Sequence, residues 1–562
     1  MNWDHTYERR WNGWGATHIS FPLKSEAHQF LKEKLGQTAP LKNATLEQAL
    51  QTIPDSKLPQ HSCYSICAET RLRHARGQSF PDWLAMKSGE LIHFPDAVAF
   101  PESADEIRTL LSLAHHHGYV LIPYGGGTSV VGHINPIPDQ RPIITVSLAR
   151  MNRLIDIDKD SLLATFGAGT PGPLVESQLQ LNGYTLGHYP QSFELSTLGG
   201  WVATRSSGQQ SLHYGRIEQL FVGGMLETFD GTIHMSPHPA SAAGPDWRQM
   251  VLGSEGQLGI LSEIIVKVRA LPEQEYFGVA FLPSWSQAVQ CVQALAQQGI
   301  ALSMLRLSNP QETETQLKLA TGDTQNQLLH RYLSFRGQSN TPCMLTYGLT
   351  GSDVQVRSSK AQFKNLLKQH QGVNLSKKLG DFWKEKRFNF PYLRETLWEL
   401  GYAVDTLETA ISWQHVPALV EAIETNLRHG LDDMGEKVHV FTHLSHVYPD
   451  GASIYTTYLF KVSDNYPATL SRWQRLKSTT SQLIADFRGT ISHQHGVGLD
   501  HIPYMTQEKS MPVIHALKAS RNVFDPNHQL NPGKLYPSYE IPNDHTSERG
   551  STRIPQSRKA SV

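Results

Sequence analysis

The chain has 562 residues, 39% of them hydrophobic and 18% charged, and its formal net charge is -1. That length exceeds one hydrophobic core and predicts two or three domains of globular type. The near-zero charge excludes a nucleic-acid-binding surface spread over the whole molecule, but leaves room for a local basic pocket that takes a phosphate.

The polar, aromatic N-terminus lacks the apolar stretch of a secretory signal. No run of about 18 apolar residues predicts a transmembrane helix. Trp3, Trp11 and Trp14 lie close together, and two readings stand: rings at a membrane interface, or rings packed against the body of the protein. Residues 1–89 read as helical and turn-rich. In Ala44–Gln51, Thr45 caps a helix with Gln48 closing a capping box. Cys63 and Cys67 have the spacing that puts both on one helix face. That pair reads as buried thiols of a reducing cytoplasm and not as part of a disulfide framework, and because Cys291 and Cys343 form no second pair beside it, no zinc site is expected.

From Phe94 to Arg269 short β runs alternate with helices. Ala97–Phe100, Tyr119–Pro123, Ile143–Ser147, Leu162–Phe166, Gln219–Glu227 and Ile260–Val268 read as strands. Ser103–His116 reads as a helix with a second capping box, Ser103 and Glu106. Beyond Leu271 the spacing predicts helices over Trp285–Gln298, Ala361–Gln369, Tyr466–Phe487 and Ser510–Asn522, the last capped by Ser510. Met344–Leu349 reads as a strand, and Val438–Leu444 and Ile454–Phe460 as a pair across the turn Tyr448-Pro449-Asp450-Gly451. The tail 541–562 is rich in Ser, Arg and Pro and is expected to be disordered. The fold class is α+β, and no solenoid repeat occurs.

Three blocks carry chemistry. In Pro123-Tyr124-Gly125-Gly126-Gly127-Thr128-Ser129 a strand runs into three glycines and two hydroxyls. Such a loop lets consecutive backbone N–H groups converge on one anion, which describes a pyrophosphate cradle. It is neither the dinucleotide fingerprint nor a P-loop. The second block runs from Gly187-His188 through Gln191-Ser192-Phe193-Glu194-Leu195-Ser196-Thr197 to Thr204-Arg205-Ser206-Ser207. The third is Glu255-Gly256-Gln257-Leu258-Gly259-Ile260-Leu261. Further along, Ser492-His493-Gln494-His495-Gly496 puts two imidazoles on a glycine-rich turn, where protons or a phosphate are handled.

In order and spacing the three blocks resemble the FAD-binding domain of the vanillyl-alcohol oxidase family. That resemblance implies a two-subdomain PCMH-type FAD-binding domain over 90–271, preceded by an N-terminal helical region over 1–89. It also implies an α+β cap and substrate domain with C-terminal helices over 272–540. FAD would be held non-covalently, because Thr128 and Ser129 stand where covalent members carry a flavin-linked histidine. The implied contacts are Pro123–Ser129, His188, Gln191–Thr197, Thr204–Ser207 and Glu255–Leu261. Outside that domain, Trp11-Asn12-Gly13-Trp14-Gly15, Leu305-Arg306-Leu307, Pro391-Tyr392-Leu393-Arg394, Gly451-Ala452-Ser453-Ile454-Tyr455 and the two-histidine turn resemble the alkyldihydroxyacetonephosphate synthase family. Such enzymes exchange an acyl chain for a fatty alcohol with no net redox change.

The resemblance assigns Tyr455 as the acid/base, activated by neighbouring cations. His493 and His495 would supply those cations or bind phosphate. Arg394 would meet a carboxylate or phosphate through its planar fork, and Arg306 would hold the site wall. Lipid-like substrates, no nucleic-acid partner, a homodimer, and a cytoplasmic location with peripheral membrane contact complete that expectation.

Gln494 stands between the two histidines where eukaryotic relatives carry a third, and Gln191 replaces an acidic residue. No peroxisomal signal ends the chain. The rival reading is a flavin-dependent dehydrogenase of D-2-hydroxy acids. Tyr455 and Gln494 take the places of that group's ligand His and Glu; His443 and His446 are the histidines that could compensate, but no metal is expected. A third reading is a flavin-binding protein without activity.

Overall fold

The computed structural model describes residues 9–537 except 321 and 376. The strands Ala97–Ala99, Ile143–Ser147 and Val120–Tyr124 lie parallel, with Tyr64–Ser65 added antiparallel at one edge. The amphipathic helix Ala104–His117 supplies the crossover and buries Ile107, Leu110, Leu111 and Ala114. The strands Leu154–Asp158, Leu163–Gly167, Ile260–Lys267, Phe221–Thr228 and Gly231–Met235 form an antiparallel five-stranded sheet in that order. These two sheets share one core.

The third sheet is antiparallel and seven-stranded, in the order Val373–Asn374, Gln274–Leu282, Cys343–Gly351, Met304–Ser308, Val438–Val447, Gly451–Lys461, Tyr402–Ser412. Side chains alternate between its faces. One face buries Leu305, Leu307, Val440, Leu444, Ile454 and Tyr458 in the largest core cluster. The other presents Arg306, Thr406, Phe441, His443, Tyr455 and Thr457 to a cavity. The helices Pro310–Ala320 and Phe390–Glu399 wall that cavity.

Both ends of the described chain return to the centre. Asn531 N donates to Leu121 O and Leu121 N to Gln529 O, so the C-terminal stretch pairs with a strand of the first sheet. At the N-terminal end Trp14 is buried and Trp11 is half-buried against a neighbouring core cluster. Gly15 has φ +65°, and a Cβ there would lie 2.2 Å from the Tyr392 hydroxyl. Glycine is therefore required where this segment wraps the helix Phe390–Glu399. Packing is the reading that holds for Trp11 and Trp14; Trp3 and the tail 541–562 lie outside the described residues.

Several local expectations change. The Thr45–Gln48 capping box is complete. Ser103 accepts from Glu106 N as expected, but the Glu106 carboxylate accepts from Glu102 N, one residue earlier than a reciprocal box requires. Ser510 occupies its N-cap without a side-chain bond. Cys63 and Cys67 share no helix face: Cys63 precedes the strand Tyr64–Ser65, and Cys67 is the exposed N-cap of Ala68–Arg73. Only Cys291 and Cys343 are buried.

Candidate active site

The cavity, of about 520 Å³, opens between the glycine loops and the third sheet. Pro123 to Ser129 all line it. Among the described residues, no backbone N–H from Gly125 to Ser129 donates to a protein acceptor. Five consecutive unspent donors on a cavity wall fit the phosphates of a dinucleotide. The second block packs directly on the first. A Cβ on Gly126 would lie 1.8 Å from Leu195 O, a backbone atom with no freedom to withdraw. We therefore expect Gly126→Ala to be purified with little or no flavin, read as the ratio of flavin to protein absorbance after desalting. Full flavin content in that variant would show that the loop is not the cradle.

The blocks do not contribute every residue. Gln191, Ser192, Ser196, Thr197, Thr204, Ser206, Ser207, Glu255, Gly256, Gly259 and Leu261 line the cavity. Phe193, Glu194, Leu195, Arg205, Gln257, Leu258 and Ile260 do not, because the backbone alternates between cavity and core. Glu194 accepts the Tyr392 hydroxyl. Arg205 turns back to Leu252 O and Gln249. Leu258 and Ile260 are core, and Gln257 donates to Asn531 O. His188 sits one layer behind, its Nε2 3.2 Å from Ser206 Oγ and its ring against Trp201. Glu255 lines the cavity, but its carboxylate is spent on Val497 N and Gly498 N, clamping the two-histidine turn to the FAD region.

Across the cavity, strand register places Glu408, Tyr455 and His443 in one row. The Tyr455 hydroxyl donates to Thr406 Oγ1 at 3.3 Å. Burial, then the Glu408 charge, push its pKa up to about 12, so the phenol is protonated at neutral pH. The sequence predicts the opposite, a phenol activated by cations; Arg306 does pull its pKa down, but burial and the Glu408 carboxylate outweigh it, and the imidazoles are neutral. His495 lies edge-on to Tyr455, with Nε2 3.6 Å from Glu408 Oε2, and burial lowers its pKa.

His493 does not line the cavity. Its Nδ1 is 3.0 Å from Glu408 Oε1, and its Nε2 lies 2.6 Å from Arg216 Nη1 and 2.7 Å from the Tyr448 hydroxyl. The acceptor-only Glu408 fixes the proton on Nδ1, and Arg216 requires a bare Nε2. Desolvation and Arg216 hold this ring neutral, so it supplies no cation to Tyr455. Glu408, His446 and His493 bring donor atoms within 4.8 Å, the spacing of a metal site. His446 Nε2 is 3.1 Å from Gly208 O, and the Arg216 guanidinium occupies one edge of the His493 ring.

The two arginines differ. Arg306 Nη2 lies 2.5 Å from Glu312 Oε1, an ion pair whose carboxylate is buried. Arg394 donates Nη1 to Gln78 O at 2.7 Å and stacks 4.2 Å over Trp83, while its buried Nη2 has no acceptor. No carboxylate reaches it within ion-pair distance among the described residues. A desolvated guanidinium edge with no carboxylate in direct contact suits an incoming oxyanion. Sequence reasoning does not reach Glu312, Glu408, Thr406 or Asn531, and reaches His443 only as a substitute metal ligand; all five belong to the same wall or its support.

Two sheets holding a glycine cradle, joined to a large antiparallel sheet over one cavity, define an FAD-binding flavoprotein of the FAD-linked oxidase fold. Family models agree: an FAD binding domain matches residues 95–236, and the FAD linked oxidases, C-terminal domain matches 271–535. Alkyldihydroxyacetonephosphate synthase of Dictyostelium discoideum is 32% identical, over 84% of this chain and 78% of that protein. The Trypanosoma brucei brucei synthase is 28% identical over 94% and 93%. A solved structure of alkyldihydroxyacetonephosphate synthase superposes with TM-score 0.81 at 26% identity, covering 94% of this chain and 99% of that one. The chain belongs to the alkyldihydroxyacetonephosphate synthase family, and its cofactor is FAD.

Proposed function

We propose that this enzyme exchanges the acyl chain of acyl-dihydroxyacetone phosphate for a long-chain alcohol, forming an ether bond without net oxidation. The observation that carries this reading is the single cavity in which the glycine cradle, the protonated Tyr455 and an apolar arm meet. That arm is lined by Val404, Phe441, Leu393, Leu397 and Leu319. Bound FAD supplies the ring system beside which the substrate carbon reacts. Tyr455 holds a proton at that carbon and exchanges it there. Arg394, which lines the cavity, takes the phosphate or the departing carboxylate. The apolar arm accepts an alkyl chain and excludes water from it.

The test is anaerobic. Purified yellow protein is given palmitoyl-dihydroxyacetone phosphate with hexadecanol, and separately D-lactate. Ether product with an unbleached flavin supports the reading. Bleaching by D-lactate with no ether product replaces it with the dehydrogenase reading. The same reading carries a cytoplasmic dimer that meets its lipids at a membrane surface, supported by the lipid-like substrates. No helix among the described residues is long and apolar enough to cross a membrane. Protein that stays at the bottom of a liposome flotation gradient, or sediments as a monomer, would remove those two extensions.

A further inference from the structure

His443 stacks on Tyr455 with ring centroids 4.8 Å apart and an interplanar angle of 25°. Its Nδ1 lies 3.0 Å from Glu312 Oε1, the oxygen that also meets Arg306 Nη2 and Gln316 Nε2. Arg306 Nη2 also lies 3.3 Å from this Nδ1, but it is already spent on Glu312 at 2.5 Å, and the acceptor-only carboxylate is the nearer partner of the ring, so Nδ1 carries the proton and Nε2 keeps its lone pair. Nε2 has no partner among the described residues and is not among the polar atoms sealed from the cavity that His443 lines. A carboxylate behind a histidine whose far nitrogen faces a cavity is the arrangement that fixes a general base.

Position along the strand says which proton this base meets. Two residues earlier on the same face, Phe441 begins the apolar arm. A long-chain alcohol lying in that arm brings its hydroxyl to the His443 end. We propose that His443, oriented by Glu312, is the base that deprotonates the incoming alcohol, a role distinct from the proton Tyr455 moves. This rests on the exchange reaction above.

In that step the alcohol O–H bond breaks and its proton passes to Nε2. The alcohol oxygen forms the ether bond to the substrate's terminal carbon. The fatty acid leaves that carbon as carboxylate with the electron pair of the broken C–O bond, and the imidazolium then releases its proton to solvent. No oxidant or reductant is consumed. The charged and titratable groups facing His443 are Arg306, Glu312, Tyr455 and, further off, Glu408. Burial and Arg306 lower its pKa against the opposing pull of Glu312, which leaves the ring neutral and able to accept. Glu312 itself is held ionised against its burial, down to about 2, by the hydrogen bond from His443 and the charge and hydrogen bond of Arg306.

The experiment separates two nucleophiles. Labelled free palmitate exchanging into palmitoyl-dihydroxyacetone phosphate attacks as a carboxylate and needs no base, whereas hexadecanol does. His443→Gln is expected to keep the flavin spectrum and palmitate exchange near wild type while ether formation falls about 100-fold. Glu312→Gln, which keeps an acceptor but loses the charge that steadies the imidazolium, is expected to lower kcat for ether formation with the KM for hexadecanol unchanged. Equal loss of both reactions in His443→Gln, or ether formation at the wild-type rate in either variant, would overturn the assignment. Wild-type protein that forms no ether at all would instead overturn the exchange reading on which it rests.

Discussion

Tyr455→Phe is expected to bind FAD at full stoichiometry and to lose ether formation by a factor of about 10² to 10⁴, the range for removing a positioned acid/base. The fold has no need of that hydroxyl. Its hydrogen bond to Thr406 Oγ1, the one it makes among the described residues, is long, and the ring keeps its stacking on His443 in the variant. Chemistry needs it because, among the described residues, no other group at the centre of the cavity is a neutral acid able to give up its proton at neutral pH. His443 and His495 are neutral, Glu408 and Glu312 are engaged by partners, and Arg394 and Arg306 do not give up protons. A phenol pushed up to about 12 is protonated across the neutral range. The reaction should therefore show no Tyr455 ionisation between about pH 6 and 9, since even the upper end of that range lies well below the phenol's midpoint. Substantial ether formation by the phenylalanine variant would place the proton on another group.

The cofactor site was legible in the sequence because its demands are local. Three glycines and two hydroxyls after a strand state a backbone requirement that survives without any knowledge of tertiary contacts, and Pro123–Ser129 do line the cavity. Tyr455, Arg394, Arg306 and His495 were also legible, each through a short motif, and all four face the same space. Adjacency misled at His493. Two histidines separated by one residue suggest a pair acting together, yet the turn sends one ring to the cavity and the other to Arg216 on the FAD region. Glu312 and His443 lie 131 positions apart and carry no motif. Only the pairing of Met304–Ser308 with Val438–Val447, and the helix that follows the first of these strands, brings them to 3.0 Å.

Among the elements, the long antiparallel strands Gln274–Leu282 and Tyr402–Ser412 carry no legible strand signal, because both mix buried and exposed residues without clean alternation. The helix read from Ala361 begins at Asp353. The capping box Ser352–Gln355 that starts it precedes a polar first two turns, which carry little periodic apolar signal. The motif Trp11–Gly15 was legible as a motif but not as a contact. Its reason is the helix it wraps, almost 400 residues away.

That contact leads to the largest expected effect on stability. Glu395 lies at the centre of a buried knot. Its Oε2 is 2.6 Å from Lys87 Nζ, and its Oε1 accepts Trp14 N at 3.1 Å. Both charged side chains are less than a tenth exposed, and the Lys87 ammonium also lies 4.9 Å over Trp83. Three segments distant in sequence are tied at this point: the wrapping N-terminal segment, the helix Phe80–Ser88, and the helix that carries Arg394. Removing one partner leaves the other charge buried without compensation, which costs about 3–5 kcal/mol. Glu395→Ala is expected at the upper end, because it also orphans Trp14 N. Lys87→Ala is expected at the lower end. The paired variant Lys87→Met/Glu395→Met should recover most of that loss, since it removes both charges and fills the space with apolar atoms. The measurement is the flavin-release temperature and urea midpoint of all three variants. If the double variant is no more stable than the worse single one, the Trp14 contact and not the ion pair holds the knot. If Lys87→Ala unfolds with the wild-type midpoint, the ammonium reaches water in solution and the pair contributes as little as an exposed one.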